Sequence, residues 1–172
     1  MTGQETKTLL QAGTVVEKDC QRIALRGLLD TACAYCVCAL SAAQGKNIRA
    51  AEDAKEMLSV LYDLTRCEAL GEPYEFRGVF GFGADEVRAA SHNPQKYIAA
   101  EHCFTWDETT PMEVAFLNLL RTQIRSAERA AVCAAKQEGA WMQTLCTALN
   151  RLSSACYLAV LRAKKWREEQ EC

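Results

Sequence analysis

An all-α fold, an antiparallel bundle of about five helices, is the architecture this sequence predicts, and three observations lead to it. Four long stretches repeat apolar residues three and four apart, the period of a helix face. Those stretches are separated by glycine-bearing breaks at Gly45, Gly71 and Gly139, and all three prolines fall between Pro73 and Pro111. With 172 residues, 49% of them hydrophobic, the chain is long enough to bury one full core, so a single domain over 1–172 is expected.

The elements follow in order. Residues 1–15 read as an N-terminal segment. A first helix is expected over 18–44, with Ile23, Leu29, Cys33, Val37 and Leu40 among its apolar positions, broken by Gly45-Lys46-Asn47. The second spans 48–70 and should bury Ala54, Met57, Leu58, Leu61 and Leu64. Glycine then proline just past its last turn, in Gly71-Glu72-Pro73, is a helix stop signal. Residues 74–112 carry prolines, glycines and aromatics and read as a loop-rich insertion with short helices at 85–91 and 94–100. A third long helix starts near Thr110-Pro111, threonine as cap, proline at the first position and Glu113 in the first turn, and runs to about residue 137. Gly139 separates it from the last helix, over 140–169. Packing the four long helices side by side leaves the insertion draped over one end.

Charge and composition exclude several classes. Twenty Lys and Arg against 22 Asp and Glu give a net charge of −2, which recommends neither nucleic acid nor an anionic membrane as partner. The start, Met1-Thr2-Gly3-Gln4-Glu5-Thr6-Lys7, lacks the apolar core of a signal peptide, and no run of about 20 apolar residues is evident. A cytoplasmic protein is expected. The ten cysteines invite a disulfide or metal reading, but Cys33, Cys36 and Cys38 sit in a helical apolar run without the turn that frames a metal knuckle. Cys133, Cys146 and Cys156 lie among alanines and leucines, where cysteine serves as a small hydrophobe. Reduced, mostly buried thiols are expected; the alternative is a cluster site using Cys33, Cys36 and a distant partner.

The polar residues of the last third point to chemistry. Arg121, Arg125 and Arg129 are four apart on one helix, with Asn118 and Glu128 beside them. Like charges at that spacing cost a helix about 0.2–0.5 kcal/mol per pair, so a bound anion, above all a polyphosphate, is one explanation. A surface ion-pair ladder with Glu128 is the other. Arg22, Arg26 and Asp30 similarly share a face of the first helix, where an i,i+4 Arg–Asp pair would suffice.

Read together, Leu119-Leu120-Arg121-Thr122 through Arg125, Ala127, Glu128 and Arg129, followed by Leu149-Asn150-Arg151-Leu152-Ser153, resembles the paired signature of the ATP:cob(I)alamin adenosyltransferases, nearest to the ethanolamine-utilisation type. Glu68-Ala69-Leu70-Gly71-Glu72-Pro73, Ser91-His92-Asn93-Pro94 with Tyr97, and Ile23-Ala24-Leu25-Arg26-Gly27-Leu28-Leu29-Asp30 fit the same resemblance, which covers about residues 6–161.

The resemblance implies a helical bundle assembled as a homo-oligomer, a trimer or else a dimer, with the paired motifs at opposite ends of two neighbouring helices. It implies displacement at the 5′ carbon of ATP by cob(I)alamin, giving adenosylcobalamin and triphosphate. By position Arg125 matches a phosphate-binding arginine, and Arg121 one that pairs with an aspartate, here Asp30, across a subunit interface. Glu128, Asn150 and Arg151 match residues near the nucleotide, and Lys18 and Arg22 are further candidates for phosphate contacts. Phe104 falls at the bulky apolar residue that excludes the corrinoid's lower ligand; Trp106 and Tyr97 either share that task or anchor the loop. His102 and His92 are expected to make local hydrogen bonds. Mg²⁺ accompanies ATP, while no structural or catalytic transition metal is expected, because the His/Cys motif that precedes this domain in relatives has no counterpart here. The setting implied is supply to an adenosylcobalamin-dependent lyase, with a microcompartment association. The alternative is a non-catalytic cobalamin chaperone or cargo protein of the same fold.

Overall fold

Every third or fourth residue of the first long helix is sealed from water: Leu25, Leu29, Ala32, Cys36, Ala39 and Ala43. That stripe, alternating steps of four and three, is the seam of a helix bundle. The computed structural model describes residues 5–10, 14–103 and 105–171. They form a two-stranded hairpin, β1 (Lys7–Leu9) and β2 (Val15–Glu17), then α1 (Gln21–Ala43) and α2 (Ile48–Leu70). A second hairpin follows, β3 (Gly78–Val79) with β4 (Phe82–Gly83), then the short helices α3 (Ala84–His92) and α4 (Pro94–Ile98). The long helices α5 (Met112–Glu138) and α6 (Ala140–Glu171) complete the chain.

The four long helices close into a ring, α1 against α2, α2 against α6, α6 against α5 and α5 against α1. Ring neighbours run antiparallel, and polar residues tie both ends. At one end the start of α1 meets the ends of α2 and α5: Arg22 and Arg26 each place Nε 2.8 Å from the fully buried carboxylate of Glu68. Arg22 also lies 3.5 Å from Glu138 and over the ring of Trp141, at the start of α6. At the other end buried Asn47 caps α2 by accepting from Ala50 N–H and donates to the carbonyl of Ala163 on α6 at 2.9 Å. Beside it Arg167 donates to Glu113 of α5 at 2.6 Å. These buried polar groups are all satisfied, as the interior requires.

Four sequence expectations are corrected here. The first helix begins at Gln21 rather than Lys18, because the Lys18 N–H donates to Thr6 O and extends the β1–β2 ladder. Pro111, not Thr110, is the N-cap residue of α5; its ψ of 143° is extended, and the Thr110 hydroxyl instead accepts from Asp107 N–H. The expected apolar positions of α1 divide: Leu29 is sealed and Cys33 and Leu40 pack against the core, but Val37 is 43% exposed while Cys36 and Ala39 are sealed. Lastly, α1 does reach the length and composition of a membrane span, with mean hydropathy 1.6 over an 18-residue stretch. In this fold it packs on α2 and α5 and keeps an apolar outer side.

The insertion does not drape over one end. It lies along the flank of α6, touching it from Thr144, which accepts from Tyr74 N–H, to Lys165, which donates to Ile98 O. That stretch of helix spans about 32 Å. Where loop alone was expected, a tight hairpin stands, turning at Phe80 and Gly81, both with positive φ (62° and 80°). Phe80 tolerates this because its N–H donates to Glu56 and its ring lies 4.9 Å below the Arg162 guanidinium, itself bidentate to buried Asp53. Gly78 is required, since a Cβ there would sit 1.9 Å from Phe82 O.

Candidate functional site

Because α5 and α6 are antiparallel about the break at Gly139, residues equally distant from it face each other. Glu128 lies eleven before and Asn150 eleven after, and Asn150 Nδ2 donates to Glu128 Oε1 at 2.9 Å. The two sequence motifs therefore meet in the middle of the bundle rather than at opposite ends of their helices. The string continues: Arg151 Nη1 donates to Asn150 Oδ1 at 3.1 Å, and Arg151 Nη2 stands 3.7 Å from Asp85 at the start of α3. Thus Glu128 serves Asn150, and the expected arginine–Glu128 ladder does not form.

One turn further along, the same facing pairs open a cleft of about 440 Å³. Arg121 and Arg125 of α5 form one wall, and Ser153, Ser154 and Tyr157 of α6 the floor. Ser91 and His92 close one side, and His102, Cys103 and Trp106 the other. No carboxylate is among these lining residues, so the cleft carries the charge of two guanidinium groups. Arg121 is steadied by Asn118, which accepts from its Nε at 3.0 Å. Arg125 is exposed and has no hydrogen-bond or ion-pair partner among the described residues. Arg129 turns away and donates to the Ser126 hydroxyl. Of the three-arginine ridge, two members face the cleft.

The third wall hangs on Tyr157. Its hydroxyl accepts from Cys103 N–H at 3.2 Å and lies 2.9 Å from His102 Nδ1, while the two rings stack with centroids 5.9 Å apart. His102 thus makes the local contact expected of it, whereas His92 makes no side-chain hydrogen bond among the described residues and faces the cleft from the last turn of α3. Burial pushes the Tyr157 phenol above its ordinary value, so it stays a neutral hydroxyl across the physiological range. Trp106 lines the cleft, its ring 5.8 Å from Lys164 Nζ. Phe104 lies outside the described residues.

Other expected site residues stand apart. Tyr97 packs edge-on against Phe82 at 6.3 Å, off the cleft, as a loop anchor. Arg22 has spent its donors on Glu68, on the Glu68 carbonyl at 2.6 Å and on Ala69 O, which leaves it a tie between helices. Arg26 pairs with Glu68 and not with Asp30, since the buried carboxylate lies in bonding reach of both arginines. Asp30 is exposed on the outer side of α1 with no ion pair among the described residues. Lys18 is exposed in the turn before α1. Arg151 faces a different cavity of about 430 Å³, lined by Tyr74, Phe76, Ala84 and Ala148. Tyr157 escaped the sequence reading, and Ser91 and Ser154, one inside and one just past the quoted motifs, were given no site role; the one signal for Tyr157 was a phenol eighteen residues past Gly139, opposite Arg121.

Among the described residues no group of three His, Cys, Asp or Glu is placed to hold a metal ion. The nine described cysteines are free thiols, yet only Cys36, Cys67, Cys146 and Cys156 are buried, so "mostly buried" overstates it.

The family model for cobalamin adenosyltransferases matches residues 1–163. The corrinoid adenosyltransferase EutT of Escherichia coli (strain K12) is 30% identical over 163 residues, 91% of this chain and 58% of that protein. EutT of Salmonella typhimurium is 31% identical over the same shares. The chain therefore spans little more than half the length of these curated relatives. Solved structures of variants of a PduO-type ATP:corrinoid adenosyltransferase from Lactobacillus reuteri share the fold. One, complexed with cobalamin and ATP, aligns with TM-score 0.70 at 19% identity, covering 97% of this chain and 93% of that one. Another, complexed with ATP, aligns with TM-score 0.73 at 20% identity over the same shares.

Proposed function

The chain belongs to the cobalamin adenosyltransferase family, and from that premise we propose that it transfers the 5′-deoxyadenosyl group of ATP to cob(I)alamin. The cobalt(I) electron pair forms the Co–C5′ bond, the C5′–O bond breaks, and triphosphate leaves with that bond's electrons. The observation that carries the reading is Arg125: a guanidinium without a partner among the described residues, on the wall of a cleft that none of their carboxylates lines. A leaving group of several negative charges needs such a grip before and during departure.

Roles follow from position. Arg125 holds the triphosphate, and the linked Glu128, Asn150 and Arg151 stand near the nucleotide. Trp106 offers an apolar face toward the corrinoid, and Phe104, outside the described residues, is assigned the exclusion of its lower ligand by resemblance alone. Arg121 pairs with Asp30 of a neighbouring subunit in a homo-oligomer, a trimer by family resemblance; the unpaired Asp30 and the apolar outer side of α1 support this. Lys18 remains an outer phosphate candidate, and Arg22 is released from that list. Mg²⁺ travels with the nucleotide on phosphate oxygens; the described residues do not form a carboxylate site for it, and no step is assigned to it. Delivery to an adenosylcobalamin-dependent lyase, ethanolamine ammonia-lyase by the motif resemblance, completes the proposal.

An anaerobic mixture of protein, ATP and chemically reduced cobalamin should develop the light-sensitive spectrum of an alkylcobalamin. Losing a charge-assisted contact worth about 1.5–3 kcal/mol, Arg125→Ala should drop kcat/KM for ATP about 10- to 150-fold with its helical circular dichroism intact. No product from the wild type would overturn the reading; cobalamin binding without turnover would mark a carrier instead.

A further inference from the structure

We propose that Cys103 and Lys164 form a site of oxidative cross-linking, at which dioxygen closes an N–O–S bridge between the two side chains. Lys164 Nζ of α6 lies 2.9 Å from Cys103 Sγ, heteroatoms already in contact. Lys164 has no ion pair with a carboxylate among the described residues, and its other close neighbour is the Trp106 ring. A lysine held by a thiol instead of an acid keeps its nitrogen beside sulfur.

Access is two-sided. Cys103 is half-buried and lines the arginine cleft, and it also lines a second cavity of about 520 Å³ that Lys164 shares. A small oxidant therefore reaches the pair from either side. Among the described residues, Cys36 and Cys156 are sealed in the core, while exposed Cys38 and Cys133 have no lysine amine in contact.

The chemistry balances on one dioxygen. The thiol S–H bond and one N–H bond of the lysine free amine break; S–O and O–N bonds form on one oxygen atom. The two hydrogens leave with the other oxygen as water. Sulfur and nitrogen each lose two electrons, the four that dioxygen gains. The product pins Cys103 covalently to α6 at Lys164, about two turns of helix beyond Tyr157, whose hydroxyl holds the same residue reversibly. The wall of the cleft thereby becomes redox-sensitive, whatever reaction the cleft performs.

Peptide mass spectrometry of the full chain tests this without cobalamin or ATP. Protein exposed to air-saturated buffer should yield a Cys103–Lys164 cross-linked peptide whose mass is that of the two peptides plus one oxygen less two hydrogens. It should disappear on reduction with a thiol, be absent from Lys164→Arg, and carry the label when isotopically heavy dioxygen is used. The heavy-dioxygen arm uses wild-type protein, so it decides even if the variant folds poorly. Recovery of Cys103 as a free thiol, a disulfide or a sulfinic acid with Lys164 unmodified would overturn the proposal, as would an identical cross-linked peptide in Lys164→Arg.

Discussion

Replacing Glu68 by glutamine should destabilise the fold far more than its position at the end of a helix suggests. Its side chain is completely buried and takes Arg22 Nε and Arg26 Nε at 2.8 Å each, with Arg26 Nη2 at 3.3 Å. Glutamine keeps the shape, removes the charge and turns a donor toward two guanidinium groups. Breaking a buried pair from one side costs about 3–5 kcal/mol. Here the lower end applies: the arginine side chains keep 14% and 27% of their exposure, and Arg22 retains the Glu68 carbonyl and Glu138. A loss of about 3 kcal/mol corresponds to a fall in Tm of roughly 6–12 °C for a chain of this size. Urea unfolding followed by circular dichroism would read it as a lower midpoint at unchanged slope. The control is Glu72→Gln, whose partner Arg66 stands 3.8 Å away on the surface and whose loss should stay within about 0.5 kcal/mol. If both variants shift equally, the buried clamp does not hold the helix ends.

Further outcomes follow from the other end and from the core. Asn47→Ala removes the α2 cap and the donor to Ala163 O together, and should cost about 2–4 kcal/mol by the same urea titration. Burial raises the Asp53 carboxyl to about 6, against the opposing pull of Arg162, from an unfolded value of 3.8. The folded state then binds the proton more tightly, so this contribution is complete below pH 3.8 and is lost as pH rises through 6. Urea midpoints of wild type relative to Asp53→Asn should accordingly decline between pH 4 and 6; a rise would mean that the ion pair outweighs burial. The Cys36 thiol, pushed up to about 12 by burial and by neighbouring Cys33, should resist alkylation in the native state. Buried Cys156 should behave alike, and labelling should fall first on exposed Cys38 and Cys133.

Much of the fold was legible because it is written in local rules. The limits of α2 follow from Asn47 as cap and from Gly71, whose φ of 69° favours glycine, and both signals lie within a turn of the helix they bound. The short helices α3 and α4 were legible for the same reason: Asn93 caps α4 with its own side chain, and Glu86 reaches back to Gly83 N–H. The start of α1 was not, because Lys18 answers to a strand twelve residues earlier in the chain. Its buried face was legible only in part: Leu29 is sealed and Cys33 and Leu40 pack against the core, but Val37, equally apolar, lies outward while Cys36 and Ala39 are sealed.

A mainly helical bundle, its breaks, and the arginine and asparagine motifs of its last two helices can be read from the order of residues alone. Those depend on period, caps and residue chemistry, which act over a few residues. Which arginines are committed depends on packing. Arg22 and Arg26 are neutralised by Glu68, more than forty residues away, and Arg129 settles on Ser126, while Arg121 and Arg125 are left facing a cleft. A guanidinium's task depends on which carboxylates the packing brings within about 4 Å, where their attraction is strong, and that distance is set by the fold and not by the neighbours in the chain.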